Sequence, residues 1–222
     1  MRVAVRSIHQ IEITSRCNLR CVYCTHRSMP RPKMDMTRET FEQSLKQAKL
    51  LGGENELNLA GIGESTMHPE FVDFVFRARE VMGHNFGLVL ATNGILMTRE
   101  LARAIAPTGI HVFVSMHRPE KAGPAIEACR EVGILAGVSA DPSVASTDWA
   151  GQIKWHVSTP LKGAPCPWVS QGRLMVMSDG RITRCSFDST ADDVLGTVWD
   201  DLSTMQTSPY KLCASCHLNV AA

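Results

Sequence analysis

Seven of the eight cysteines fall into two sets whose spacing suits metal chemistry. Cys17, Cys21 and Cys24 follow the pattern C-x3-C-x2-C, which places three thiols on one short loop. Thiolates are soft ligands that select iron-sulfur clusters, zinc or copper over hard cations. A four-iron cube on this loop would have three protein ligands and one iron open to a small molecule, as a catalytic zinc site keeps one position free. A structural zinc ion or unrelated thiols is the plainer alternative. Cys166, Cys185, Cys213 and Cys216 could fill every ligand position of a second centre. A site filled in this way is closed, which suits structure or electron transfer, and a zinc ribbon is the competing reading. Cys129 belongs to neither set; it falls in an expected helix, where a small buried thiol is ordinary core packing.

Other residues could move protons or touch a substrate. His117 lies just past an expected strand, beside Ser115, and the near-neutral pKa of imidazole suits proton transfer. Glu12 and His156 are further candidates, with satisfied polar groups of a barrel interior as the alternative. From Arg16 to Arg38 six Lys or Arg stand against one acid, Asp35, which makes a basic rim around the first cysteine loop. A solvated loop would read the same way. A functional rim, with Arg27 and Arg31 in it, would steer an acidic electron donor such as a flavodoxin or ferredoxin, or an anionic substrate.

These groups must be held by a fold that the rest of the chain can build. The 222 residues are 44% hydrophobic and 20% charged, the composition of a soluble globular protein with a sizeable core and a small appendage. A formal net charge of +1 gives no reason to expect a nucleic acid or an anionic membrane surface as partner. No apolar run approaches a membrane span or a signal peptide, so the thiols are expected in a reducing compartment, the cytoplasm.

Hydrophobic periodicity predicts strands and helices in alternation. Strand Ile8–Thr14 leads into the cysteine loop; helix Thr37–Leu51 follows, with Thr37 as N-cap and Gly52 as stop. Then come strand Glu56–Ala60, helix Pro69–Met82, strand Phe86–Ala91, helix Arg99–Ala106, strand His111–Ser115, helix Ala122–Val132 and strand Ile134–Ser139. Asp141–Gly151 is too short and Ser/Pro-rich for another crossover, and Gln152–Ser158 reads as a sixth strand. Helical crossovers imply parallel strands, hence an α/β fold: a partial, TIM-like (β/α) barrel of about six strands over residues 1–160. Residues 161–222 read as a different, antiparallel module. It has strands Arg173–Met177 and Arg181–Ser186 around Ser178-Asp179-Gly180, a short helix near Asp201–Gln206 and a closing Cys213–Cys216 turn. Both the first thiol loop and His117 then sit at carboxyl ends of parallel strands, where such folds bind ligands.

The order of these motifs resembles the radical S-adenosylmethionine superfamily. Its cluster motif follows the first barrel strand and carries an aromatic residue before the last cysteine, here Tyr23. Gly61-Ile62-Gly63-Glu64 stands where members have a glycine-rich turn that contacts the methionine amino group, although Ser65 replaces the usual proline after it. Thr92-Asn93-Gly94 and Ser115 also match cofactor-facing positions, which implies cofactor contacts from Tyr23, Gly61, Gly63, Glu64, Asn93 and Ser115. Pro167-Trp168, Asp179-Gly180 and Gly196-Thr197-Val198-Trp199, around the second cysteine set, resemble the shortened auxiliary-cluster domain called twitch, a relative of SPASM. The layout is most similar to the aminocyclitol (2-deoxy-scyllo-inosamine) dehydrogenase type of butirosin biosynthesis. That resemblance implies two [4Fe-4S] clusters, one binding S-adenosylmethionine and one auxiliary. It also implies cleavage of the cofactor to a 5'-deoxyadenosyl radical and dehydrogenation of a small molecule. Peptide modification, such as a crosslink or an epimerisation, and a redox-neutral rearrangement are the other outcomes known for such enzymes. Only about ten residues precede the first strand, which favours the small molecule.

Overall fold

The structure, a computed structural model, describes residues 2–139, 148–154, 166–191 and 193–216. His156 and most of the expected strand Gln152–Ser158 lie outside the described residues.

The first half alternates as periodicity predicts. Strand β1 (Val3–Ala4) precedes β2 (Ser7–Ile11), α1 (Arg38–Leu51), β3 (Glu56–Asn58), α2 (Phe71–Met82) and β4 (Gly87–Thr92). Next come α3 (Arg99–Ile105), β5 (His111–Ser115), α4 (Pro119–Glu131) and β6 (Leu135–Ser139). Helix α1 starts where the Thr37 side chain accepts from the Thr40 N–H, and it stops at Gly52, whose φ of 61° suits a residue without Cβ. Its buried Phe41 stacks on Phe74 of α2, ring centroids 4.1 Å apart. Every second strand residue faces the helices. Leu57, Leu59, Leu88, Leu90, Val112 and Val114 are fully buried there; Phe113 stays exposed on the opposite, concave face, and Val138, register-paired with Val114, is exposed on the helix side of edge strand β6.

The second half differs from expectation in one respect that matters. Helix α5 (Pro167–Ser170) leads into β7 (Arg173–Val176), β8 (Arg181–Thr183), β9 (Val194–Thr197) and β10 (Gln206–Thr207). One eight-stranded sheet runs in the order β6-β5-β4-β3-β2-β7-β8-β9. Strands β2 to β6 are parallel neighbours, and β7 pairs parallel with β2, so the sixth parallel strand is β7. Residues Gln152–Lys154, the described part of the expected sixth strand, form a turn. In this sheet only β8 is reversed, antiparallel to both β7 and β9, so the hairpin continues the barrel sheet instead of forming a sheet of its own. Gly172 makes the joint possible: its carbonyl accepts from the Arg6 N–H, and a Cβ there would stand 2.3 Å from the Ala4 carbonyl oxygen. At the far end β10 pairs with β1, tying the beginning of the chain to its C-terminal part. The expected helix near Asp201–Gln206 is a short 3-10 turn, Leu202–Thr204, capped by Asp201. Among the described residues no helix is long and apolar enough to cross a membrane.

Candidate active site

The carboxyl ends of β2, β3, β4 and β5 open into one cavity of about 320 Å³. The loop after β2 contributes Cys17, Cys21, Tyr23 and Cys24, and the segment after β3 contributes Gly61, Gly63 and Glu64. Strand β4 ends there in Thr92 and Asn93, and β5 in Ser115 and His117. The sequence-selected residues thus meet in one place, because parallel strands deliver all their carboxyl ends to the same edge of a sheet.

The turn after β3 is built by its own packing. A Cβ on Gly61 would lie 2.3 Å from Glu12 Cγ, and one on Gly63 would lie 2.2 Å from the Thr14 carbonyl oxygen. Both glycines therefore let the turn press against the end of β2, a role beyond the expected approach to a cofactor. Glu64 Oε1 accepts from Thr66 N, Thr66 Oγ1 and Thr92 Oγ1, and Oε2 accepts from Asn93 N at 2.7 Å. A carboxylate oxygen has about two lone-pair positions, so Oε2 keeps room for one more donor. Ser65, which stands in place of proline, donates to the Leu59 carbonyl at 2.6 Å and closes the turn through its hydroxyl. Asn93 Nδ2 donates to Asn18 Oδ1 at 2.8 Å, tying the end of β4 to the cysteine loop.

His117 is not isolated. Its Nδ1 lies 2.9 Å from Tyr23 Oη, and the two rings tilt together with centroids 5.5 Å apart. Burial pushes the imidazole pKa below its usual value, so the ring is neutral near pH 7. Trp149 adds a further wall to the cavity and donates from Nε1 to the Tyr23 carbonyl at 3.0 Å. No motif or periodicity in the sequence singled Trp149 out.

Glu12 and Arg31 occupy places other than those expected. Arg31 is buried and donates to both carboxylate oxygens of Glu12, at 2.6 and 2.8 Å, so it is absent from the basic rim. Glu12 also accepts from the backbone of Ile62 and Ser178, and Arg31 donates to the Ser189 carbonyl. This pair joins β2, the turn after β3 and the C-terminal hairpin, and it leaves Glu12 no part in the cavity lining. Arg16 pairs with Asp35 and the exposed Arg38 with Glu70, and Arg20, Arg27 and Lys33 are further exposed cations near the loop.

The second cysteine set lines a separate, narrow cavity. Cys166 precedes α5, Cys185 follows β8, and Cys213 and Cys216 lie at the end of a 3-10 turn; Ala150, Trp168, Val169, Arg184, Tyr210 and Leu212 line it too. Burial, reinforced by the other three thiols, pushes Cys185 up to about 12, and burial pushes Cys24 of the first set up to about 11. Cys129 is fully buried in the helix-side core, apart from both sets.

No cysteine forms a disulfide, and among the described residues no three His, Cys, Asp or Glu side chains lie close enough to hold a single metal ion. Three thiols on an open chamber fit a cube that lends one iron to a small molecule, and the neutral lining of Asn93, Ser115 and His117 leaves that molecule room. Four thiols among apolar walls fit a closed cube. Desolvated thiols such as Cys24 and Cys185 ionise when a metal supplies the opposing charge.

Comparison with known proteins bears on the same segments. The Radical SAM superfamily profile matches residues 11–138. A tungsten-containing aldehyde ferredoxin oxidoreductase cofactor-modifying protein of Pyrococcus furiosus is 38% identical over 133 residues, 59% of this chain and 35% of that protein. The PqqA peptide cyclase of Streptomyces rochei is 33% identical over 123 residues, 54% of this chain and 32% of that protein. The chain thus spans about a third of the length of these relatives. Among solved structures, BtrN in complex with AdoMet and 2-DOIA superposes with a TM-score of 0.73 at 18% identity, covering 91% of this chain and 85% of that one. Native anSMEcpe with bound AdoMet and Cp18Cys peptide gives 0.63 at 17% identity, covering 88% and 78%. At these identities the two structures speak for the fold.

Proposed function

The chain belongs to the radical SAM superfamily, and we propose that it is a twitch-type member that dehydrogenates a small molecule. On this reading residues 1–160 are the partial barrel and 161–222 the twitch domain, in a cytoplasmic enzyme. Cys17, Cys21 and Cys24 would hold the cluster that binds S-adenosylmethionine, and Cys166, Cys185, Cys213 and Cys216 an auxiliary [4Fe-4S] cluster. When bound, these groups supply a 5'-deoxyadenosyl radical that takes a hydrogen atom from a substrate carbon, and an acceptor for the electron that remains.

The protein's part is to place and to deprotonate. The Gly61–Glu64 turn, Asn93, Ser115 and Tyr23 line the place for the cofactor, and Glu64 Oε2 has one position left for an amino group. With its proton on Nδ1, His117 donates to Tyr23 Oη and presents a bare Nε2 to accept the substrate hydroxyl proton. The observation that carries this reading is the pairing of an open three-thiol cavity, holding a neutral imidazole, with a closed four-thiol cavity in the same fold. Likeness to BtrN bound to AdoMet and 2-DOIA supports it. Exposed Phe113 on the concave face favours a second reading, in which the substrate is a peptide. SuiB bound to precursor peptide SuiA has the same fold at a TM-score of 0.54.

The test is anaerobic reconstitution with iron and sulfide counting, where about eight irons per chain support both clusters and four support one. A deuterated alcohol should then pass its label to 5'-deoxyadenosine and emerge two electrons poorer. An isomeric product would support rearrangement, and a mass change in a peptide the second reading.

A further inference from the structure

We propose that Trp149 is the partition between the two thiol cavities, a one-residue wall that sets how far a substrate reaches toward the second set. The proposal rests on the reading of both cavities as binding sites. Trp149 lines the first cavity and the next residue, Ala150, lines the second.

The backbone here is unusual. Trp149, Ala150 and Gly151 have φ of 52°, 58° and 80°, three consecutive residues in the left-handed region. Residues with a Cβ avoid that region, so surrounding contacts must over-determine it. Gly151 could not be otherwise: a Cβ would stand 2.9 Å from Cβ of Ser215, the residue between Cys213 and Cys216.

The contacts reach both cysteine loops. Trp149 Nε1 donates to the carbonyl of Tyr23, which lies between Cys21 and Cys24. Its ring packs at 5.3 Å and 53° against Phe187, two residues past Cys185. Gln152 Nε2 donates to the carbonyls of Trp149 at 2.6 Å and Phe187 at 2.7 Å, and Ser189 Oγ donates to Gln152 Oε1. The indole is thus clamped edge and face between the two loops. On this proposal, cutting the side chain back to a methyl joins the cavities, whereas a phenyl ring, smaller and without the N–H donor, keeps an aromatic wall between them.

The experiment compares Trp149→Ala and Trp149→Phe in full-length, anaerobically reconstituted protein carrying Cys17→Ala, Cys21→Ala and Cys24→Ala, so that all bound iron belongs to the second set. Iron release to a chelator should be roughly tenfold faster with alanine, since release no longer waits for local opening of the turn, and close to the parent rate with phenylalanine. Iodoacetamide labelling, mapped by mass spectrometry, gives a second measurement that needs no cluster. With alanine, Cys185 should label faster while Cys129, buried in the helix-side core, does not. Equal acceleration of Cys129 would mean general loosening and would overturn the partition, as would equal rates for alanine and phenylalanine or no acceleration at all. If the parent takes up no iron, the two-cluster reading fails, and the labelling still decides the wall.

Discussion

The two cysteine regions present the same thiol groups in different surroundings. The first set sits on a loop fed by a parallel strand, with the ends of three more parallel strands around it, and its cavity is wide and partly polar. The second set is gathered from the start of α5, the end of β8 and a 3-10 turn, and apolar side chains fill in around it. Parallel strands deliver side chains to one edge and leave a mouth; segments that arrive from different directions close on one another. Whether a thiol site is open or narrow is therefore decided by the backbone that brings the thiols, and on the proposed reading that difference would separate a site for chemistry from one that only passes electrons.

The sharpest way to break this contrast is to remove one thiol from each side. Cys24→Ala should abolish cleavage of S-adenosylmethionine altogether. Cys213→Ala should leave 5'-deoxyadenosine formation measurable while halving the iron content and stopping product. Anaerobic chromatography of 5'-deoxyadenosine beside iron analysis reads both. If the second variant also lost cleavage outright, the division of labour between an open and a sealed site would be wrong.

Next in size is the buried pair that binds the regions together. Arg31→Met strands the Glu12 carboxylate among Ile62, Ser178 and the core, so it should cost about 3–5 kcal/mol in unfolding free energy. Replacing both partners, with Glu12→Gln added, should recover part of that loss, because no lone charge then remains buried. Urea unfolding with the iron content held fixed measures each. A single variant within 1 kcal/mol of the parent would show that the pair does not join the halves as its three hydrogen bonds to Ile62, Ser178 and Ser189, beside the two within the pair, suggest.

Legibility in the sequence followed the same contrast. The open region was readable: β2 to α4 alternate with clear periods, and strand-by-strand motifs locate Tyr23, Asn93, Ser115 and His117 around one mouth. The joint between regions was not. Residues Arg173–Val176 alternate identically whether they start a free hairpin or pair with β2, and a parallel partner over 160 residues away leaves no local mark. Strands β1 and β10 have two residues each, too short for any period. Arg31 stands among basic neighbours and reads as a surface residue; only the fold brings Glu12 to it from 19 positions earlier. Trp149 owes its place to a left-handed turn, for which the sequence carries no local signal at Trp149 itself.

His117 offers a smaller test, confined to the open region. His117→Asn should lower the rate of substrate oxidation about 10²-fold, the low end for general base catalysis, with 5'-deoxyadenosine formation less affected. The pH profile carries the sign. The base works when neutral, and burial lowers its pKa, so the acid limb of kcat/KM should lie below about 6.5 and vanish in the variant. The same lowering means that the folded protein loses this contribution to stability as pH falls below the unfolded value, since protonation then favours unfolding. An unchanged acid limb in His117→Asn would assign the proton to another group.

The smallest expected effect concerns where electrons enter. A net charge of +1 provides no global attraction for an acidic donor, so any steering must come from local cations. Beside the open region these are Arg20, Arg27 and Lys33, all exposed; beside the sealed one, Lys211 is exposed next to the last cysteine turn. We expect Arg27→Glu with Lys33→Glu to slow reduction by a flavodoxin several-fold at low salt, and the difference to fade in 0.5 M salt, where screening shortens to a few ångströms. Lys211→Glu should change little. Stopped-flow reduction of each reconstituted variant separates the cases: slowing by Lys211→Glu alone would put the donor at the sealed site and make the auxiliary group the first to receive an electron. The contrast between the regions would then hold for structure and fail for the direction of electron flow.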